Sequence, residues 1–342
     1  MVHLFYVHSG LAFLCCEYTR ATAQLPPEQC VFLQDRDIRL PDGPVRVVPW
    51  PEELQFHNFF FKKKFWKNWK PIREFDRFIR KTTDNQEFWV YLPQTKHFIY
   101  QLFTTHPLCR GYSYYEEGSN ACRPLKVLDS ELPPPSFATS VLSYLNFFGR
   151  ASVYCSFYKD GADKVYSLHD MAFPDFAQKR VVLQPRDDLI PAYQSYAGQF
   201  NGALLIIFDT SVESARTTFA DYSAALLEAI SALQEQGDIG PVYAKLHPAQ
   251  DPQNKPKLTR VLDESFGESG YILLDSSDNV EAILLQNRDM RVLTAMCSVG
   301  FYANLWGHKV YSFADRLIRR DPQFVSSFEE APVQYREVML QI

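Results

Sequence analysis

Residues 203–208 read Ala-Leu-Leu-Ile-Ile-Phe, six apolar residues without a polar interruption. A strand with one wet face alternates apolar and polar side chains, because successive Cβ atoms point to opposite faces. An unbroken apolar run therefore predicts a strand covered on both faces, as in a parallel sheet flanked by helices. The following sequence agrees. Residues 219–234 carry Ala and Leu at helical spacing and predict an amphipathic helix. Further strands are expected at 242–246, 271–274, Arg291–Thr294 and 310–313. Helices are expected at 258–266, Val280–Gln286 and 301–306. This alternation is the pattern of an α/β fold.

The first half repeats the theme. Strands are expected at 4–7, 30–33, 46–48, 89–92 and 112–115, with helices from about residue 11, at 94–104 and at 137–148. Prolines 133–135 mark a turn, and Lys159-Asp160-Gly161 between apolar stretches 151–158 and 164–168 predicts a hairpin. A chain of 342 residues exceeds one ordinary core and suits two domains. We expect a first Rossmann-like domain over 1–193 and a second over 194–320. Residues 321–342 are expected as a C-terminal helix packing back toward the first. Two such domains face each other across a cleft, and ligands lie outside the carboxyl ends of the strands.

The formal net charge of −5 argues against nucleic acid as a partner. The seven cysteines are odd in number, with no C-x-x-C pair and no zinc spacing. They are expected as reduced thiols in a cytoplasmic protein, with no metal bound. No apolar run approaches the ~20 residues that span a bilayer.

Four short motifs carry chemistry. Glu116-Glu117-Gly118 ends the strand at 112–115. One acid can turn inward and the other outward, and the glycine lets the backbone turn tightly. A carboxylate there could accept a hydroxyl proton, or simply be a solvated acidic turn. Lys245-Leu246-His247-Pro248 closes the strand at 242–246. Its imidazole could donate to a phosphate or be simply a satisfied structural histidine, and Pro248 fixes the local backbone. Glu281 lies in Asp278-Asn279-Val280-Glu281, which reads either as a capping box or as a carboxylate for ribose hydroxyls. Met296-Cys297-Ser298-Val299-Gly300 forms a strand-to-helix turn able to hold an anion, with Ser298 equally an ordinary N-cap. A second His-Pro pair, His106-Pro107, precedes the acidic turn and so falls outside this order.

Taken in order, these motifs resemble the bacterial sialyltransferases of the GT-B type. Those enzymes carry a D/E-D/E-G motif in the first domain and H-P and Ser/Thr motifs in the second. The resemblance implies Glu117 as general base, with Glu116 and Gly118 supporting it. It implies His247 as the group assisting CMP departure, Ser298, Pro248, Cys297 and Gly300 around the phosphate, Glu281 on the cytidine ribose, and Lys245 in support. The donor implied is CMP-sialic acid, the acceptor a glycan hydroxyl that can be lipid-linked, and no cofactor is implied. The family often has two hydroxyl residues at the last motif, whereas Cys297 and Val299 flank Ser298 here. A transferase for another CMP-ulosonic acid such as Kdo fits the same motifs. A protein that keeps the fold without the activity is the reading of another class.

Two features compete for attention. Asp35-Arg36-Asp37 spells D-x-D, the metal-holding pair of the other major transferase fold. Segment 59–81, from Phe59 to Lys81, interleaves nine Lys or Arg with Phe and Trp. It reads as a helix with a buried aromatic face and a solvated basic one, as attachment to an anionic membrane, or as a single-stranded nucleic-acid surface. A basic groove there could also guide an acidic glycan.

Overall fold

The computed structural model describes all residues except 36–39, 57–66, 133–135, 153–154, 185–189, 238 and 276, and the side chain of residue 192. Arg36 and Asp37 of the D-x-D, residues 59–66 of the basic-aromatic segment and prolines 133–135 therefore lie outside the described residues. The chain divides into two compact units, Met1–Ile190 and Pro191–Ile342.

The first unit runs β1 (Val2–Val7), α1 (Gly10–Thr22), β2 (Cys30–Gln34), β3 (Arg46–Pro49), α2 (Trp69–Thr82) and β4 (Phe88–Leu92). It continues with α3 (Phe98–Thr104), β5 (Cys109–Tyr115), α4 (Leu125–Ser130), α5 (Phe137–Asn146), β6 (Val165–Ser167) and β7 (Arg180–Val182). Its sheet has the order β3-β2-β1-β4-β5-β6-β7, and every pairing is parallel. Both faces are covered. Leu4, Tyr6, Val31, Leu33, Val90 and Leu92 face a cluster that includes Ile72, Phe75 and Ile79 of α2. On the opposite face Phe5 lies edge-on to Phe32 and stacks on Tyr91, and Phe13 of α1 meets Phe32 edge-on.

The second unit runs β8 (Leu204–Ile207), α6 (Phe219–Glu235), β9 (Val242–Lys245), α7 (Lys255–Phe266), β10 (Ile272–Leu273) and α8 (Val280–Gln286). Then follow β11 (Arg291–Thr294), α9 (Ser298–Leu305), β12 (Lys309–Ser312), α10 (Ala314–Arg320), α11 (Phe324–Glu330), α12 (Val333–Glu337) and β13 (Leu340–Gln341). The sheet order is β10-β9-β8-β11-β12-β13, again all parallel. Leu204 and Ile206 pack with Ala225, Leu226 and Ala229 of α6 on one face. Leu205 and Ile207 pack with Ile283 and Leu284 of α8 on the other. That two-sided burial explains the unbroken apolar run. In each sheet the strand order reverses beside its first strand, at β1/β4 and at β8/β11, and these are the switch points where α/β folds bind ligands.

Three expectations need correction. The hairpin across residues 159–161 does not form: β6 pairs in parallel with β5. The described part of 151–158 is held instead by a side chain of α4 and the main chain at Thr95. Asp129 accepts from Phe157 N and Ser156 Oγ, and Thr95 N donates to Phe157 O. The tail is not one helix. It makes α11, α12 and β13, and β13 extends the second unit's sheet beside β12. The helix after β11 starts at Ser298 rather than Phe301.

Gly300 is a packing residue. A Cβ there would lie 2.9 Å from Met339 Cε, 3.1 Å from Thr294 Cγ2 and 3.3 Å from Val310 Cγ1. Its α-carbon faces the sheet and the tail. Gly300→Val forces these neighbours apart, and overpacking of this kind costs about 1–3 kcal/mol. Denaturant melts of the variant should show that loss.

Candidate functional site

In the first unit the chemistry gathers at the carboxyl ends of neighbouring strands. β5 ends at Tyr115, and the next two residues turn opposite ways. Glu116 is fully buried. Its Oε2 accepts from Leu168 N at 2.7 Å and its Oε1 lies 2.9 Å from His169 Nε2. His169 Nδ1 accepts from Met171 N at 3.2 Å, so the ring proton sits on Nε2 and is donated to Glu116. Cys122 Sγ lies 3.6 Å from the same nitrogen. Among the described residues, Glu116, Cys122 and His169 form the one group of three donors close enough to suggest a metal. The tautomer argues otherwise. A metal-bound histidine donates from its other nitrogen, and here that nitrogen is an acceptor. The cluster is a hydrogen-bonded brace under the acidic turn.

Glu117 turns outward and is partly exposed. Its Oε2 lies 3.0 Å from Nε2 of His8, the residue that follows β1. His8 Nδ1 is buried without a hydrogen-bond partner. Ser9 then caps α1 by accepting from Ala12 N at 3.1 Å. Gly118 has φ 129 and ψ −154, a conformation that favours glycine, so the turn after Glu117 depends on that residue. The structure thus pairs Glu117 with a histidine that the motif reading passed over. The available signal was positional: His8 directly follows a buried strand and precedes a Ser N-cap, as His247 follows β9. Asp35, the described acid of D-x-D, accepts from Tyr6 Oη at 2.6 Å.

In the second unit β9, β8 and β11 are neighbours and their carboxyl ends carry the motif residues. His247 is exposed two residues beyond β9, and Pro248 is exposed beside it. Ala249 N donates to His247 Nδ1 at 3.0 Å, so the neutral ring keeps its proton on Nε2. Lys245 is buried, and its Nζ donates to the carbonyls of Asp275 and Asp278, tying β9 to the loop before α8. Burial lowers the Lys245 pKa, against the pull of Asp278, Asp275 and Glu281.

The capping-box reading of Asp278-x-x-Glu281 is replaced. Asn279 is the cap, accepting from Ala282 N at 2.9 Å. Asp278 instead accepts from Tyr196 Oη and Asp275 N. Glu281 sits in the first turn of α8, its pKa raised by burial and drawn down by a hydrogen bond from its own backbone N–H and by Lys245. Ser298 is likewise not the cap. Cys297 holds that position in extended backbone, and Ser298 opens α9. Thr294 Oγ1 donates to Cys297 Sγ at 3.2 Å, and burial pushes the thiol up to about 11.

One further acid emerges at the switch point. Asp209 follows β8, is buried, and has a pKa raised by that burial. It accepts from Ser211 N at 2.9 Å and from Met296 N at 3.4 Å, bridging the β8 and β11 loops. No motif marked it. Its signal was its place after the apolar run.

His106 belongs to the core. It is 3% exposed, its ring lies 5.4 Å from that of Phe88, and its Nδ1 accepts from Leu108 N. All seven cysteines are free thiols, and no helix among the described residues is long and apolar enough to cross a membrane.

No family model matches the chain, and no curated protein does. Solved structures do. The UDP-GlcNAc 2-epimerase of Methanocaldococcus jannaschii, solved with UDP-GlcNAc and UDP, aligns over 100% of this chain and 89% of its own. Identity is 7% and the TM-score 0.51. A sialyltransferase from Photobacterium damsela aligns over 100% and 81%, with 12% identity and a TM-score of 0.49. Anabaena Alr3699/HepE, solved with UDP and glucose, aligns over 99% and 96%, with 12% identity and a TM-score of 0.46. At these identities the likeness is one of fold: two Rossmann-like halves of the GT-B class.

Burial lowers the His106 pKa to about 4, partly offset by Asp76. A depressed folded-state pKa means the stability is present above the ordinary value near 6.5 and lost as pH falls toward 4. The loss is on the order of 3 kcal/mol. Urea melts across that window should show it, and His106→Gln should flatten the slope.

Proposed function

We propose that this chain is an inverting, metal-independent glycosyltransferase that moves sialic acid from CMP-sialic acid to a glycan hydroxyl. The observation that carries the reading is the state of His247. It stands exposed beyond β9 with its proton on Nε2, two sheet positions from the turn where Ser298 opens α9. A donor hydrogen bond, a hydroxyl and a helix N-terminus suit a nucleotide monophosphate that gains negative charge as it leaves. Glu281, next to the cap but not the cap itself, is the carboxylate we assign to ribose hydroxyls.

In the reaction the acceptor oxygen bonds to the anomeric carbon as the carbon–oxygen bond to phosphate breaks. The electron pair goes to the CMP phosphate, and the acceptor proton goes to Glu117. The sugar passes through an oxocarbenium-like state and inverts. His8 holds Glu117 in orientation through its Nε2, and the Glu116–His169 brace fixes the turn that carries both acids. A CMP-activated ulosonic acid such as Kdo meets the same nucleotide contacts. A panel of the two donors, read by CMP release, discriminates between them.

Glu117→Gln should lower transfer by about 10²–10⁴-fold while calorimetry still records CMP binding. Near wild-type transfer would remove Glu117 from the reaction. His247→Ala should lower turnover about 10²–10³-fold. Full activity in EDTA is expected, and its loss there, restored by a divalent ion, would overturn the metal-independent reading.

A further inference from the structure

α5 is turned inside out. Its buried positions are Thr139, Ser143 and Asn146, three polar residues at helical spacing. Leu142 packs against the core, but the other large apolar side chains face solvent: Phe137 is 86% exposed, Tyr144 65%, Leu145 44% and Val141 41%, with Phe148 just beyond the helix at 42%. The four within the helix recur on one face at intervals of three and four. A contiguous exposed apolar stripe is rare on a protein surrounded only by water and marks an interaction surface.

The setting identifies the partner. α5 contains no charged residue. Its carboxyl end is pinned to the start of α2: Trp69 Nε1 donates to Leu145 O at 3.0 Å, and the Trp69 ring lies 4.8 Å from that of Phe148. From Trp69, α2 buries Ile72, Phe75 and Ile79 and exposes Lys70, Arg73, Arg77, Arg80 and Lys81. Its two acids are engaged, Glu74 with Lys70 at 3.6 Å and Asp76 with Arg150 at 2.8 Å. An apolar helix face bearing Phe and Tyr, joined through a Trp to a basic helix face, matches an anionic bilayer. Apolar side chains enter the acyl boundary while cations meet the headgroups.

We propose that α5 and the exposed face of α2 form a docking surface for an anionic lipid bilayer, with Phe137, Val141, Tyr144 and Leu145 inserted. The proposal stands independently of the reaction assigned above. It refines the basic-aromatic segment by placing the inserted apolar residues on a second helix.

Flotation of the full chain with phosphatidylcholine vesicles, with and without phosphatidylglycerol, tests it. Binding is expected only with the anionic lipid, weakening at high salt. Hydrogen exchange should show new protection over residues 137–148 when those vesicles are added. Phe137→Asp/Val141→Asp should abolish flotation without altering thermal unfolding, because both positions are exposed. Lys70→Gln/Arg73→Gln/Arg77→Gln should weaken it about fivefold per cation removed. No flotation on any vesicle, or flotation unchanged in the aspartate pair, overturns the proposal. So does a concentration-dependent dimer that the aspartate pair dissolves, which would make the stripe a self-association surface.

Discussion

Parallel pairing is the constraint on which the rest depends. In a sheet whose strands all run one way, every strand ends at the same edge, and each helix that follows begins there. His8, Glu117 and His169 thereby share one rim of the first sheet, and Asp209, His247 and Cys297 share one rim of the second. The chemistry of each unit is concentrated by topology before any side chain interaction acts. The opposite edge carries helix ends and receives no comparable set of titratable groups from the motifs.

Within those rims, precision comes from buried polar ties. Glu116 joins the β5 end to the β6 end through Leu168 and His169. Lys245 does the same for β9 and the loop before α8, and Asp209 for the β8 and β11 loops. Each is a charge or potential charge removed from water and satisfied by main-chain groups, so loss of either side leaves an unpaired buried group. The titratable residues at the rims therefore divide into two kinds: buried ones that hold loops in place, and ones that reach solvent, such as Glu117 and His247.

The strand and helix order was largely legible in the sequence, because two-sided burial writes itself as apolar runs and helices as periodic ones. Val280–Gln286 and Arg291–Thr294 match the expected bounds. The failures have specific causes. Lys159-Asp160-Gly161 has hairpin chemistry, yet tertiary ties from Asp129 and Thr95 hold 156–157 away from a ladder. The tail's short strand is only two residues long and has no pattern of its own. The partnership of His8 with Glu117 joins residues over a hundred positions apart, which no local pattern encodes. The inversion of α5 was equally hidden, since periodicity reports that a helix has two faces but not which one meets the core.

Three histidines share one local device. In His106, His169 and His247 the Nδ1 atom accepts the backbone N–H two residues ahead. The ring is thereby latched to its own loop, and its tautomer cannot alternate while the latch holds. A latched imidazole can lend a hydrogen bond but cannot pass a proton from one nitrogen to the other. At His247 the latch leaves the ring one fixed role, a hydrogen-bond donor through Nε2.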